Sequence, residues 1–394
     1  MKWSSAISES PSLADAAAEV LKALRDDLGE ATADLVAAFV SAEHGAQFSR
    51  VPELLRSEFP HAVVIGCSAG GVIGDGSEVE HRAGLAVTAA VLPDVDVKPF
   101  HLESSAFPDG DAPQDEWEAL VGVSAEDEPD FLLMADPWSG NTDSFLRGLD
   151  FAFPSASKIG GIASGANRPG EVALFLNDDV HRSGIVGAAL QGAVEVDTIV
   201  AQGCRPIGGL MQITACHENM LMGLDGGSPV EALGSLFDQL DERDQRLARH
   251  SLFLGVVMDS LNDAPKHGDF LIRNILGADH HSGTLAVGER LSEGQTVQFH
   301  LRDAETSAQD LDGLLDRYAI EHPLYEETGA LLFSCLGRGE GLYGRSGHDS
   351  EMFRRKVNAM PLTGFFCNGE IGQVGGATYL HGYTSSFGVF RPKL

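Results

Sequence analysis

The chain combines a length of 394 residues with an acidic balance of 58 Asp and Glu against 27 Lys and Arg, a formal net charge of −31. A charge of this sign repels nucleic-acid phosphates and anionic lipid headgroups, so we expect neither nucleic acid nor a membrane as a partner. The hydrophobic share of 43% excludes a disordered acidic chain. The length is enough for roughly two or three folded domains.

The cysteines are scattered along the chain and never form a Cys-x-x-Cys pair. They are Cys67, Cys204, Cys216, Cys335 and Cys367. This usage is typical of reduced thiols in a cytoplasm and argues against a zinc cage or a disulfide framework. The chain starts without an apolar leader and contains no apolar run of about 18 residues, the length of a spanning helix. We therefore expect a cytoplasmic protein.

The predicted elements begin with an amphipathic helix that starts at Ser10-Pro11 and ends at Gly29. The elements that follow are, in order, a strand over 35–40, a helix over 51–58, a strand over 62–67 and two strands within 84–103. The strand over 62–67 runs directly into glycines. Strand, helix and glycine-ended strand in this order are typical of an α/β fold.

The same order of strand, helix and glycine-ended strand occurs twice more. The second copy is predicted over 131–135, 142–152 and 157–163, and the third has its strand over 329–335 and its helix over 349–358. Glycines five residues apart mark the end of each copy: Gly66 and Gly71, Gly160 and Gly165, Gly364 and Gly369. These spacings predict three related β-α-β-Gly units, with chance resemblance between common α/β patterns as the alternative.

Predicted hairpins separate the second unit from the third. Strands over 209–216 and 220–224 precede the segment 228–231, Ser-Pro-Val-Glu, which has the capping box and first-turn proline of a helix start. Apolar and polar residues alternate over 296–302, as in a half-buried strand. We predict a mixed α/β fold of two related lobes, with β-sheets flanked by helices. The predicted domains are an N-terminal helix over 1–30, an N-terminal lobe over 31–227 and a C-terminal lobe over 228–394.

Motifs for cofactors and metals are weak in this chain. The paired glycines lack the Lys and Ser/Thr of a phosphate-binding loop. Segment 339–344, Gly-Glu-Gly-Leu-Tyr-Gly, has dinucleotide-loop spacing, but the predicted helix begins near Asp349, too late to meet a pyrophosphate. We interpret this segment as a plain glycine-rich loop and His280-His281 as a solvated loop without a third metal ligand. We expect no cofactor and no metal.

Cys335 lies at the end of a predicted strand, with Arg338 three residues later. A nearby cation lowers the pKa of a thiol and makes it a nucleophile, and His381 with Glu370 would supply a base and an orienting group. The alternative is a small buried side chain, the commoner state of such a cysteine. We favour a protein that is not an enzyme and keep a cysteine-dependent enzyme using Cys335 as an alternative.

A second candidate site combines Arg338 with Asn368 and Glu370, which follow the apolar strand over 362–367. An arginine recognises a carboxylate and a glutamate recognises an ammonium group, so the pair suits a zwitterion. The alternative is an Arg338–Glu370 ion pair that joins two loops. Both arrangements stay open at the level of the sequence.

Six segments of the chain resemble those of the FIST family, a sensory domain with N- and C-terminal halves. They are 66–73, 202–208, 270–274, 298–303, 335–339 and 364–372, of which the last, Gly-Phe-Phe-Cys-Asn-Gly-Glu-Ile-Gly, is the most specific. The resemblance implies an intracellular ligand-sensing role, with small molecules such as amino acids as ligands, and no established catalytic activity. One departure is Gly71-Val72-Ile73, where similar proteins often carry Gly-Glu-Ile.

Because that first unit lacks the glutamate, we place the ligand site in the third unit. The predicted ligand-binding residues are Cys335, Arg338, Gly339, Asn368, Gly369 and Glu370. No kinase, receptor or F-box segment accompanies the domain in this sequence, so we expect a separate signalling protein as partner. A scaffold that binds protein without a ligand is the third alternative. The ligand and the oligomeric state stay open.

Overall fold

A computed structural model of the chain describes residues 1–139, 141–322, 327–357 and 360–393. The chain forms two compact units. The first unit comprises Met1–Val200, Asp312–Leu380 and Thr384–Leu394, and the second comprises Ala201–Leu311 and His381–Tyr383. Residue 227, the predicted lobe limit, lies inside the second unit. The division of the sequence into two lobes at that residue stays a prediction.

Three series of elements run through the first unit, and we call them repeats A, B and C. Repeat A consists of β1 (Lys2–Ser8), α1 (Leu13–Leu28), β2 (Leu35–Ser41), α2 (Val51–Glu58), β3 (Val63–Ala69), β4 (Gly71–Gly74), β5 (Ser77–Glu80) and β6 (Leu85–Val91). Repeat B consists of β7 (Val95–Leu102), α3 (Gln114–Val121), β8 (Asp130–Ala135), α4 (Thr142–Ala152), β9 (Lys158–Ile162), β10 (Leu174–Leu176), β11 (Asp179–His181) and β12 (Ile185–Gly192). Repeat C begins with β13 (Val194–Gln202).

After β13 the chain forms a closed barrel before repeat C continues. The elements of this segment are β14 (Cys204–His217), β15 (Met220–Leu224), α5 (Pro229–Gln239), α6 (Glu242–Ser251), β16 (Leu252–Val257), β17 (Phe270–Asp279), β18 (Thr284–Val287) and β19 (Thr296–Arg302). The strands follow the order β14-β15-β18-β17-β16-β19, and β19 pairs again with β14. Val297, Phe299 and Leu301, the apolar residues of the predicted alternation, are buried in the barrel core.

Repeat C then continues to the end of the described chain. Its remaining elements are α7 (Ala304–Glu321), β20 (Gly329–Cys335), α8 (Gly339–Tyr343), α9 (His348–Val357), β21 (Leu362–Cys367), β22 (Glu370–Val374), β23 (Ala377–His381) and β24 (Thr384–Pro392). The predicted helix over 349–358 corresponds to α9, and its last residue lies outside the described residues. The predicted loop over 339–344 is wrong, because it forms the short helix α8, which Gly344 ends in a left-handed conformation at φ 68°.

Each repeat contains two parallel strands joined through a helix: β2 and β3, β8 and β9, β20 and β21. In each pair a glycine of the second strand lies opposite a residue of the first: Gly66 opposite Ala38, Gly160 opposite Leu133, Gly364 opposite Leu332. A Cβ atom on any of these glycines would lie 1.8–1.9 Å from the backbone oxygen of the residue opposite. The prediction of three β-α-β-Gly units is confirmed, and the first glycine of each fills the same place.

The repeats exchange β-hairpins in a cycle. Strand β4 of repeat A pairs with β21 of repeat C, β10 of repeat B pairs with β3 of repeat A, and β22 of repeat C pairs with β9 of repeat B. The resulting six-stranded sheets have the orders β1-β6-β2-β3-β10-β11, β7-β12-β8-β9-β22-β23 and β13-β24-β20-β21-β4-β5. Each sheet thus joins four strands of one repeat to the hairpin of another.

Apolar side chains from the three sheets meet in one buried cluster, which includes Phe39, Met134, Phe333 and Phe365. The rings of Phe39 and Phe365 stack with their centroids 4.8 Å apart, so β2 of repeat A packs on β21 of repeat C. The prediction of a mixed α/β fold with β-sheets flanked by helices is confirmed. Within the described residues, no helix combines the length and apolarity that crossing a membrane requires.

Candidate functional site

The candidate site lies in repeat C, where β20 and β21 end side by side. The two strands are parallel and in register, with Ser334 opposite Phe366 and Cys335 opposite Cys367. The carboxyl ends of parallel strands meet at one edge of a sheet, which is where α/β proteins place their binding residues. The chain after β20 leads to Arg338, the chain after β21 leads to Glu370, and the two side chains interact electrostatically.

Arg338 is fully buried, which is unusual for a charged side chain. Its Nε donates to Asp349 Oδ2 at 2.7 Å, and its Nη2 donates to Asp349 Oδ1 at 3.2 Å and to the Tyr343 hydroxyl at 2.6 Å. Its Nη1 has no hydrogen-bond partner among the described residues. The alternative of an Arg338–Glu370 ion pair is therefore wrong, because the ion pair of Arg338 goes to Asp349.

Asp349 is the most important residue that sequence reasoning did not assign to the site. Its Oδ2 also accepts from the Ser385 hydroxyl at 2.5 Å, and its Oδ1 lies 2.9 Å from His348 Nδ1. Burial raises the pKa of this carboxyl, but Arg338 and the hydrogen bonds lower it further, so that its pKa lies well below the ordinary value. Asp349 is therefore an anion held inside the protein.

Glu370 is fully buried at the start of β22. Its Oε2 accepts from the Thr384 backbone N–H at 3.0 Å and from the Thr384 hydroxyl at 2.7 Å, and its Oε1 accepts from Cys367 Sγ at 3.3 Å. Burial raises the pKa of Glu370 to about 7, against the opposing effects of the Thr384 hydrogen bonds. This carboxyl therefore gains or loses a proton near neutral pH.

The two cysteines of the site differ in exposure. Cys335 is half-buried and accepts a hydrogen bond from the Gly337 N–H at 3.4 Å. Cys367 is buried, and its thiol also lies 3.3 Å from the Ser334 carbonyl oxygen. Burial, followed by the charge of Glu370, raises the pKa of the Cys367 thiol well above its ordinary value.

The other predicted ligand-binding residues have structural contacts. Asn368 is exposed, and its Nδ2 donates to the Ala163 carbonyl at 3.0 Å. The Gly369 carbonyl accepts from the Ile162 N–H at 2.8 Å. Gly339 adopts φ 59°, and a Cβ atom there would lie 2.4 Å from a carboxylate oxygen of Glu80. These three residues join repeat C to its neighbours, and a role for them in ligand binding stays a prediction.

Three histidines were also considered as candidates at the level of the sequence. His381, considered as a base for Cys335, belongs to the second compact unit. His280 and His281 are exposed, and no group of three or more His, Cys, Asp or Glu side chains in the described part of the chain has a geometry that could hold a metal ion.

Glu78 is a second buried carboxylate that the sequence analysis missed. It comes from β5 of repeat A, and its oxygens accept from the backbone N–H groups of Gly347 at 3.0 Å and Ser350 at 2.9 Å. These groups belong to the N-terminal turn of α9, so Glu78 caps the helix that carries Asp349. Burial, and then the charge of Asp349, raises the pKa of Glu78 to about 7.

Comparison with known proteins identifies the family of the chain. Its residues 34–227 match the FIST N domain, and residues 230–373 match the FIST C domain. The chain is 34% identical over 387 residues to an uncharacterized protein of Mycobacterium tuberculosis (strain H37Rv). The aligned region covers 98% of both chains. A similar match to an uncharacterized protein of Mycobacterium bovis has 31% identity over 383 residues and covers 96% of both.

A more distant relative is an F-box/LRR-repeat protein of Arabidopsis thaliana, which is 23% identical over 264 residues, 59% of this chain and 50% of that protein. The two family models together match most of the chain, from the start of β2 to the end of β22. The chain therefore belongs to the FIST family, whose domains are sensory modules of signal transduction.

Proposed function

We propose that the chain is a sensor that binds a small polar metabolite carrying a carboxylate, such as an amino acid, at the cluster formed by buried Arg338, buried Glu370 and half-buried Cys335. The single observation that carries the proposal is the orphaned Nη1 of Arg338. An unpaired donor on a buried charge costs free energy that a bound carboxylate recovers.

The surroundings of Arg338 support a binding role over a purely structural one. Asp349 already occupies two of its nitrogens, which fixes the plane of the guanidinium and leaves Nη1 aimed away from the ion pair. Segment 335–337, which precedes Arg338, is partly exposed, and this is the side from which we propose that a ligand enters. Glu370 supplies a carboxylate for the ammonium group of an amino acid when it is ionised.

The output of such a sensor goes to a separate signalling protein. Ligand binding at Nη1 changes the charge balance between Arg338, Glu370 and Asp349, and α9 carries Asp349 at its first turn. A shift of α9 is therefore the structural change that we propose a partner reads.

The test is a thermal-shift and calorimetry screen of amino acids and dicarboxylic acids against the wild type and the variant Arg338→Lys. The lysine keeps a positive charge beside Asp349 but removes Nη1. We expect at least about a ten-fold loss of affinity, the effect of one charge-assisted hydrogen bond. Circular dichroism confirms that the variant is folded.

The matched control is Tyr343→Phe, which removes one structural partner of Arg338 and leaves Nη1 in place. We expect this variant to keep the affinity within roughly three-fold. If a compound binds equally well to Arg338→Lys and the wild type, the ligand site lies elsewhere. If no carboxylate stabilises the wild type, the proposed ligand class is wrong.

The cysteine-dependent enzyme stays a second candidate because Cys335 is partly accessible and interacts electrostatically with Arg338. Glu370, its proposed orienting group, accepts hydrogen bonds from Cys367 and Thr384. A thiol-reactivity profile against pH distinguishes the two candidates, since an enzyme nucleophile reacts well below the ordinary thiol pKa.

A further inference from the structure

Two of the five cysteines lie side by side on neighbouring strands of one sheet. Cys335 ends β20, Cys367 ends β21, and the two are partners in the parallel register. Neighbouring strands lie about 4.8 Å apart, and in-register residues project from the same face of a sheet. That spacing lies within the range of Cα separations that a disulfide spans, about 4.4–6.8 Å.

The remaining cysteines have other register partners. Cys67 pairs with Phe39 and Leu174, Cys204 with Arg302, and Cys216 with Leu221. The pairing of Cys335 with Cys367 therefore sets these two thiols apart from the rest of the chain.

The environments of the two thiols are unequal in the way that a redox pair needs. Cys335 is half-buried, lies in the field of the Arg338 guanidinium and accepts an N–H hydrogen bond. Cys367 is buried, and its thiol donates to Glu370 Oε1 at 3.3 Å. One thiol is thus placed to react with a solute, and the other is placed beside a carboxylate that accepts its proton.

We propose that Cys335 and Cys367 form a reversible dithiol–disulfide couple, in which Cys335 attacks a peroxide, Cys367 resolves the product and Glu370 receives the Cys367 proton. The oxidant is a small hydroperoxide, with hydrogen peroxide as the simplest member of its class. A thiol reductant restores the pair.

The two steps balance as follows. The Cys335 thiolate attacks one peroxide oxygen, so that an S–O bond forms, the O–O bond breaks, and the leaving hydroxide takes up the thiol proton as water. Cys367 then passes its proton to Glu370 and attacks the Cys335 sulfur, so that the S–S bond forms and the S–O bond breaks. The second hydroxide leaves and takes up that proton. Two thiols are oxidised, and one peroxide is reduced to two waters.

The disulfide removes the Cys367 thiol from Glu370 and so changes the proposed ligand site, a consequence that rests on the proposed function. The couple itself does not depend on any ligand. Peptide mapping tests the couple without a ligand, and a thermal shift of the oxidised protein with a carboxylate hit tests the coupling. A cross-link with unchanged ligand binding contradicts the coupling alone.

The experiment treats the full chain with hydrogen peroxide, alkylates the remaining thiols and maps tryptic peptides by mass spectrometry. Cleavage after Arg317, Arg338 and Lys356 places Cys335 on peptide 318–338 and Cys367 on peptide 357–393. We expect these peptides joined, with the loss of two hydrogens, and separated again after reduction. Cys335→Ser abolishes the cross-link and leaves the Cys367 thiol intact.

Two further variants keep the proposal falsifiable. In Cys367→Ser we expect Cys335 to stop at the sulfenic acid, which dimedone traps. Cys216→Ser, which removes a half-buried cysteine of the second unit, is the matched control and leaves the cross-link unchanged. If wild-type Cys335 accumulates as the sulfenic acid without joining Cys367, or if peroxide modifies neither thiol, the proposal is overturned.

Discussion

At the scale of single residues, the first unit keeps a complete ion pair out of water. Asp349 and Arg338 have side chains that are 3% and 0% exposed. Removal of one partner leaves the other charge buried without compensation. The resulting loss of stability is larger than the stability that the intact pair contributes. We predict that Asp349→Asn lowers the free energy of unfolding by about 3–5 kcal/mol, measured by urea denaturation.

The control for this prediction is Glu58→Gln, which removes a partly exposed ion pair with Arg25. Water and salt screen such pairs, so we expect the free energy of unfolding to change by less than about 1 kcal/mol. Equal effects of the two substitutions would contradict the role assigned to Asp349.

Glu370 makes stability depend on pH in a defined window. Burial raises its pKa from 4.5 to about 7 in the folded chain, so the folded state binds a proton more tightly than the unfolded state. The stabilisation that comes from this tighter proton binding is fully present below pH 4.5 and is lost as the pH rises to about 7. We predict that the free energy of unfolding of Glu370→Gln rises by about 3 kcal/mol relative to that of the wild type across this window.

Urea denaturation at pH 4.5 and pH 8 measures this difference. Glu78 has a similar pKa and is present in both proteins, so its own pH dependence cancels in the comparison. A constant difference between variant and wild type at both pH values would show that Glu370 does not titrate between them.

The sequence predicted part of the geometry of the candidate site, for identifiable physical reasons. Arg338 and Glu370 are found because polar residues after two apolar strands must meet at one sheet edge. Asp349 and Glu78 could not be predicted as site residues, because acidic residues at a helix start and in a polar hairpin are ordinary surface features. Their burial depends on β5 reaching α9 from another repeat, which local sequence does not encode.

At the scale of elements, one glycine in each repeat allows two parallel strands to approach. We predict that Gly364→Ala lowers the free energy of unfolding by about 3 kcal/mol or more, because its Cβ would overlap a backbone oxygen that cannot move alone. Chemical denaturation of the purified variant measures the change.

Gly313→Ala is the matched control. Gly313 is exposed within α7, and a Cβ atom there meets nothing within 4 Å. Because alanine has a higher helix propensity than glycine, we expect the free energy of unfolding to rise by up to about 1 kcal/mol. A small loss at Gly364, similar in size to that gain, would contradict the packing role of the strand glycines.

The β-α-β units could be predicted because strong apolar runs and helix caps repeat within each unit. Strands β10 and β11 have three residues each. They were not predicted, because such short strands leave no measurable period and are stabilised by pairing with another repeat.

At the scale of the whole molecule, the exchange of hairpins makes the three repeats depend on one another. Each six-stranded sheet takes its last two strands from a different repeat, so a single repeat lacks part of its own sheet and exposes a strand edge. The side chain of Asp150 in repeat B illustrates the dependence, because it pairs with buried Lys158 and also accepts from Thr378 of repeat C. Folding of the first unit is therefore expected to be cooperative across the repeats.

This dependence predicts the behaviour of a chain split at residue 193, between β12 and β13. Fragment 1–192 lacks the hairpin that β9 pairs with, and fragment 193–394 lacks the hairpin that β21 pairs with. We predict that neither fragment alone unfolds with the cooperativity of the intact chain. Co-expressed, they form a 1:1 complex that a tag on one fragment purifies, because each supplies the strands that the other lacks. A fragment 1–192 that unfolds cooperatively by itself, with the slope of a complete domain against urea, would show that the exchanged hairpins are dispensable for folding.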